Sequence, residues 1–260
     1  MNIKQSYLYF FSATAFAVVL RILLLSFAID SESGFIKSEY SVLAGIMLAV
    51  ITVVAVLCFV FGYLTKATLK ASLPKNTAFK VVSLFLGTVI LYDTIFSTME
   101  YTISPWQKTL EFITAIIAAV ALISNIIMDA MKIEYPRYIT IAPILFWLLR
   151  LVIIFTSFSS LANIVDNIFE LAALSLILLS SLEVAKMICI ETEKKKQTIN
   201  FALLLTTSLV CFVTSLPRAV VAITGYANML HENDLPIMTT LVAGIYFTAY
   251  AISCYKTNEK

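Results

Sequence analysis

Long apolar stretches alternate with short polar connections along the whole chain. Eight of them, at 7–28, 41–64, 79–98, 109–131, 139–158, 164–190, 198–225 and 235–255, are long enough to cross a bilayer of about 30 Å at about 1.5 Å per helical residue. The third is the most interrupted, by Gly87, Thr88, Asp93 and Thr94. No connection is long enough to hold a separate globular domain, so residues 1–260 form a single transmembrane domain. The pattern predicts an all-α fold: an integral membrane bundle of eight transmembrane helices, arranged as four consecutive helical hairpins.

Composition agrees with the pattern. Apolar residues make up 60% of the 260 and charged residues 13%, with a mean hydropathy of +0.94, far from the balance of water-soluble domains. The first apolar run starts just after Lys4 and lacks a small-residue cleavage signature, which makes it a retained helix rather than a removable signal peptide. Cys58, Cys189, Cys211 and Cys254 lie in or at the ends of apolar segments, without the spacing of a metal site or a disulfide framework.

Charge orients the helices. With the N-terminus in the cytoplasm, thirteen of the eighteen basic residues fall on cytoplasmic segments, and only Lys37 and Lys108 fall outside. That asymmetry follows the positive-inside rule and places both termini in the cytoplasm, in a plasma membrane. The outer connections are acidic, with Asp30, Glu32, Glu39, Glu100, Glu232 and Asp234. The run Lys194–Lys196 reads as an anchor beside anionic headgroups. The basic residues are spread over several loops and net charge is only +2, which excludes nucleic acid as a partner; the bilayer itself is the expected one.

Three basic residues escape the loops. Arg21, Arg150 and Arg218 lie inside the first, fifth and seventh helices, each followed by an acidic outer turn, and Thr88 takes the corresponding place in the third. The successive steps are 67, 62 and 68 residues, the length of one hairpin, which suggests a hairpin repeat in a constant orientation. Counted from the outer acidic residues, the arginines lie about 13 to 24 Å in along a helix of about 1.5 Å rise. A guanidinium in hydrocarbon costs on the order of 3 kcal/mol on insertion scales, so each needs a partner or a polar cavity.

Asp93 is the internal carboxylate and the expected counter-ion; Glu39, Glu111, Asp166 and Glu170 are further anions near the outer ends of the even helices. Two readings follow. In one, Arg21, Asp93, Arg150 and Arg218 line an outward-facing cavity that binds or transports an anionic small molecule or lipid, as the fixed guanidinium fork favours. Ser157, Asn163, Asp166, Glu170 and Pro217 then surround it. In the other, the same groups are structural ion pairs in a non-catalytic membrane sensor or assembly protein. Pro217, just before Arg218, frees the carbonyl of Val213, which Thr214 and Ser215 are placed to satisfy. Pro143 reads as a helix-start proline, and Glu183 with Lys186 as a surface pair.

Catalytic signatures do not appear. His231 is the one histidine, in an outer turn, so a site built on two or more histidines is excluded and no metal is expected. There is no HExxH, serine elbow or phosphate-binding glycine loop, and the chain holds six glycines in all. The reading leans away from an enzyme and calls for no cofactor. Arg21 followed by Asp30 and Ser33-Gly34-Phe35, with the run Pro143–Arg150, resembles a family of bacterial polytopic membrane proteins of unassigned function. That resemblance implies a bacterial plasma membrane and carries no activity.

Overall fold

In a computed structural model, residues 2–30, 35–65, 67–69, 74, 76–100, 104–131, 136–157, 165–189, 194–224 and 238–257 are described. They form eight α-helices: α1 (Ile3–Leu23), α2 (Ser41–Leu64), α3 (Thr77–Glu100), α4 (Pro105–Ala130), α5 (Ile141–Ser157), α6 (Val165–Cys189), α7 (Lys194–Ile223) and α8 (Met238–Cys254). A π-helical turn, Leu24–Ala28, continues α1, and short 3-10 turns lead into α2 and α5. Seven helical segments are long and apolar enough to cross a membrane; α8, with 17 residues, is shorter. The eighth apolar stretch reads as 21 residues in sequence, but the chain leaves the helix at Tyr255.

Local chemistry sets several helix starts. Asn76 precedes α3 and its Oδ1 accepts from the N–H groups of Ala78 (2.6 Å) and Phe79 (3.3 Å). Ser104 precedes α4, where Pro105 takes the first helical position and Gln107 Oε1 accepts from the Ser104 N–H at 3.2 Å. The N–H of Asn2 likewise donates to Gln5 Oε1, at 3.1 Å.

Consecutive helices pack as the hairpins α1–α2, α3–α4, α5–α6 and α7–α8; the first and third hairpins pack against α7, and the second against α8 and α5. This helix touches α1, α2, α6 and α8, and 78% of its apolar window is buried, against 17% for α2. Its inward residues include an unusual number of polar ones: Thr206, Thr207, Ser208, Thr214, Ser215 and Arg218 are all buried. Hydroxyl contacts join α7 to its neighbours, as where Ser180 and Thr207 meet at 2.6 Å. Close approach does the rest. A Cβ on Gly62 would meet the Ala202 Cα at 2.7 Å, and one on Gly244 the Cys211 Cβ at 2.9 Å. α7 runs through Pro217 without a break. Thr214 and Ser215 donate to the carbonyls of Val210 (2.8 Å) and Cys211 (2.7 Å), one turn back, rather than to the freed carbonyl of Val213.

A two-stranded antiparallel ribbon, β1 (Ala67–Leu69) with β2 (Tyr255–Thr257), joins the ends of α2 and α8. Nothing in the sequence pattern anticipated it, because three residues are too few for an alternation to register. At the same end Lys80, at the start of α3, pairs with Asp129, at the end of α4. The ends of the even helices and the start of α3 therefore gather on one side, as an up-and-down alternation requires. At the other side, the hydrogen bonds Asp30 N–H to Phe35 O and Lys37 N–H to Ala28 O fold the chain back after α1, both at 2.9 Å.

Candidate functional site

All three arginines are buried, at 2%, 7% and 2% exposure for Arg21, Arg150 and Arg218. Each lies in the later part of an odd helix, so the alternation brings all three toward the same end of the bundle. Thr88 does not share their environment. It is exposed and donates to the carbonyl of Phe85 in its own helix at 2.9 Å, so the hairpin register carried by the arginines does not extend to α3.

The two deeper arginines turn to glutamates on the preceding even helix. Arg150 Nη1 lies 3.5 Å from Glu111 Oε1, between α5 and α4. Arg218 Nη1 lies 3.9 Å from Glu170 Oε2, between α7 and α6. The glutamates occupy equivalent places, the seventh residue of α4 and the sixth of α6. Arg21, on α1, has no preceding helix; its guanidinium carbon lies 4.2 Å from the centre of the Phe169 ring on α6, a cation–π contact beside Glu170.

Asp93 departs from the expectation that it neutralises an arginine. Its Oδ2 accepts from the backbone N–H of Thr239 at 2.8 Å and from the Thr239 hydroxyl. Thr239 is the second residue of α8, so this carboxylate caps a helix start from a neighbouring helix, where unpaired N–H groups and the positive end of the helix dipole favour it. Among the described residues no arginine is within ion-pair distance of Asp93. Arg150 and Arg218 found partners that sequence named only as further anions, because a guanidinium is matched by what the adjacent helix presents at its own level.

The contacts described for these four residues run between hairpins. Arg150–Glu111 joins the second hairpin to the third, Arg218–Glu170 the third to the fourth, Arg21–Phe169 the first to the third, and Asp93–Thr239 the second to the fourth. Asn163 lies outside the described residues, as do the side chains of Ser157 and Asp166. Pro217, in the turn before Arg218, is buried.

At the opposite end of the bundle, where α2 and α8 finish, a cleft of about 600 Å³, its mouth included, opens between α3, α4, α5, α6 and α8. Its wall is mainly apolar, with Leu86, Trp147 and Phe247 prominent, and it carries none of the arginines. Sequence reading missed it. The available signal was Asn125, an amide in the middle of the apolar stretch ALISNIIM. Among the described residues no group of three or more His, Cys, Asp or Glu side chains is placed to hold a metal ion.

No family model, no curated protein and no solved structure matches this chain.

Proposed function

We propose that this chain is a multi-pass protein of the plasma membrane, with both termini cytoplasmic, that serves as a non-catalytic sensor or assembly factor and uses its buried arginines as structural ion pairs. The observation that carries the reading is the placement of the arginine and aspartate contacts described above, which join one hairpin to another. Contacts so placed hold the order of the hairpins around α7, and removing one partner of such a pair is costly because it strands a buried charge. Support for the membrane comes from the outer surface, where Leu8, Val42, Val53, Ile117, Phe155 and Ile223 are exposed, an extent of apolar surface that monomeric water-soluble proteins rarely present.

A second reading keeps the arginines available to an anionic small molecule or lipid. Its support is the looseness of the pairs: 3.5 and 3.9 Å exceed the roughly 2.8 Å of a close charge-assisted contact, so an anion able to approach more closely competes with Glu111 or Glu170.

Exchanging the charges separates the two. A structural pair tolerates Arg150→Glu with Glu111→Arg, whereas an anion site does not. The expected result is that Arg150→Gln lowers thermal stability in detergent, the exchange variant recovers most of it, and inorganic phosphate or phosphatidylglycerol stabilises neither wild type nor variant. Stabilisation of the wild type by either anion, lost in Arg150→Gln and not recovered by the exchange, overturns the structural reading in favour of the second.

A further inference from the structure

Five helices close on one another as a ring. α3 touches α4, α4 touches α5, α5 touches α6, α6 touches α8, and α8 returns to α3, while α7 packs against α6 and α8. The cleft draws its wall from these five helices and the turn that leads into α5, so it is the inner end of the space they surround. Its lining faces continue outward. On α4, steps of three or four residues lead from Asn125 through Leu122, Ala118 and Ala115 to Glu111, all on one helix face. On α3 they lead from Ser83 through Leu86 and Ile90 to Asp93, on α6 from Ser181 through Ile177 to Leu174, and on α8 from Phe247 through Ala243 to Thr239. On α5, Trp147 lies one turn from Arg150.

Three levels follow one another along the axis of the ring. The inner level is polar and open. Asn125 and Ser181 line it half-buried, neither with a hydrogen-bond partner among the described residues, and the Thr140 hydroxyl beside them lies 4.0 Å from the Cys189 Sγ. About 50 Å³ of the cleft is open to a water molecule. At roughly 10–15 Å³ for each, that is room for about four waters, with the polar partners that an ordered water needs. The middle level is sealed: Ile90, Ala115, Ala118, Leu174, Ile177 and Ala243 are at most 1% exposed and belong to one apolar cluster. At the outer level Glu111 meets Arg150 and Asp93 meets Thr239, each contact tying two neighbours in the ring.

We infer that α3, α4, α5, α6 and α8 enclose a path for water, wet from the inner end as far as Asn125 and Ser181 and shut by the apolar layer next to them. A narrow apolar passage stops water by emptying, so the layer closes the path without a charged lock. The layer is thin. Leu122 at the cleft and Ala115 beyond it are seven residues apart, about 10 Å of helix at roughly 1.5 Å per residue. Three of its members are alanines, so the bulk that shuts it comes from Ile90, Leu174 and Ile177. The inference rests on the membrane reading above, in which the inner end is cytoplasmic, and agrees with the structural role given there to Glu111 and Arg150.

The full-length protein in phosphatidylcholine vesicles is first floated on a density gradient; failure to float overturns the membrane reading itself. Shrinkage of the vesicles after an osmotic step then reads water flow. The expected rate is that of protein-free vesicles for the wild type and at least about threefold more for Ile177→Ser, which sets a smaller, polar side chain in the layer. Adding Asn125→Leu, which removes the amide from the inlet, returns the rate to that of the wild type. Silver ion, a thiol reagent of about water's size, maps the levels in inside-out membrane vesicles. In chains with a single cysteine, Ser181→Cys is blocked fast and Ala118→Cys about tenfold or more slowly, and Ile177→Ser brings the second rate toward the first. Cys211, buried on α7, is the control: as the sole cysteine it stays protected beside Ile177→Ser, which separates an opened layer from an unfolded chain. Ile90→Ser repeats the test from α3 should Ile177→Ser expose Cys211. Water flow at the protein-free rate in a layer variant that keeps Cys211 protected overturns the path. A wild type that conducts overturns the seal, and Ser181→Cys blocked no faster than Ala118→Cys overturns the wet inlet.

Discussion

A guanidinium cannot shed its charge at any accessible pH, so burying Arg150 to 7% exposure obliges the fold to present an anion, and Glu111 is that anion. Removing one partner strands the other: Arg150→Gln is expected to cost about 3–5 kcal/mol, read as a lowered unfolding midpoint in detergent. Arg150→Met with Glu111→Leu restores most of that, since replacing both partners of a buried pair by apolar groups is often neutral. Asp93 obeys a different rule. As the acceptor at the start of α8 it needs an oxygen more than a charge, so Asp93→Asn is expected to be mild while Asp93→Ala loses about 1 kcal/mol, the usual worth of a helix cap. Equal losses from the two in the same unfolding measurement would assign Asp93 to charge pairing instead.

Between α2 and α7, hydropathy and burial run in opposite directions. α2 is the most apolar and the least buried, while α7, with its row of threonines and serines, lies at the centre. In an apolar surrounding this is the expected order, because an outward face needs only to be apolar, whereas an inward face must pack closely and satisfy its polar groups. Gly62 is where α2 comes nearest to α7. Gly62→Ala sets a Cβ 2.7 Å from the Ala202 backbone and is expected to cost about 1–3 kcal/mol by overpacking. Gly45→Ala, on the same helix with nothing within 4 Å, is expected to be neutral or to stabilise by up to about 1 kcal/mol through helix propensity. Thermal unfolding of the two variants side by side checks the contrast.

For the molecule as a whole, the ribbon ties the end of α2 to the end of α8. Thr68 and Lys256 sit directly opposite each other, at a separation of roughly 4.5–5.5 Å that a disulfide can span. Thr68→Cys with Lys256→Cys is therefore expected to cross-link on mild oxidation, checked by the mobility of the oxidised chain after cleavage in a connecting loop. In the proposed topology a thiol introduced by Ser38→Cys, in a background without the four native cysteines, is labelled by an impermeant reagent from outside intact cells. One introduced by Asn76→Cys is labelled only after the cells are opened. Labelling of both from the same side removes the alternation of α2.

The order and type of the helices, their approximate ends, the grouping into hairpins and the unusual status of three arginines all follow from the chain by itself. Each rests on local quantities: the length of apolar runs, the charge of short connections, and the cost of a guanidinium among apolar residues. Partners do not. Asp93 and Arg21 stand at similar distances from their acidic turns in sequence, yet one meets Thr239 and the other Phe169. Which hairpin lies beside which is decided by close packing at positions such as Gly62, where α2 of the first hairpin meets α7 of the fourth. The same packing decides the cleft, a space left where five helices do not close on one another, which brings Asn125 and Ser181, 56 residues apart, into one wall. Hydropathy counts what each helix is made of; only tertiary contact determines what each face meets.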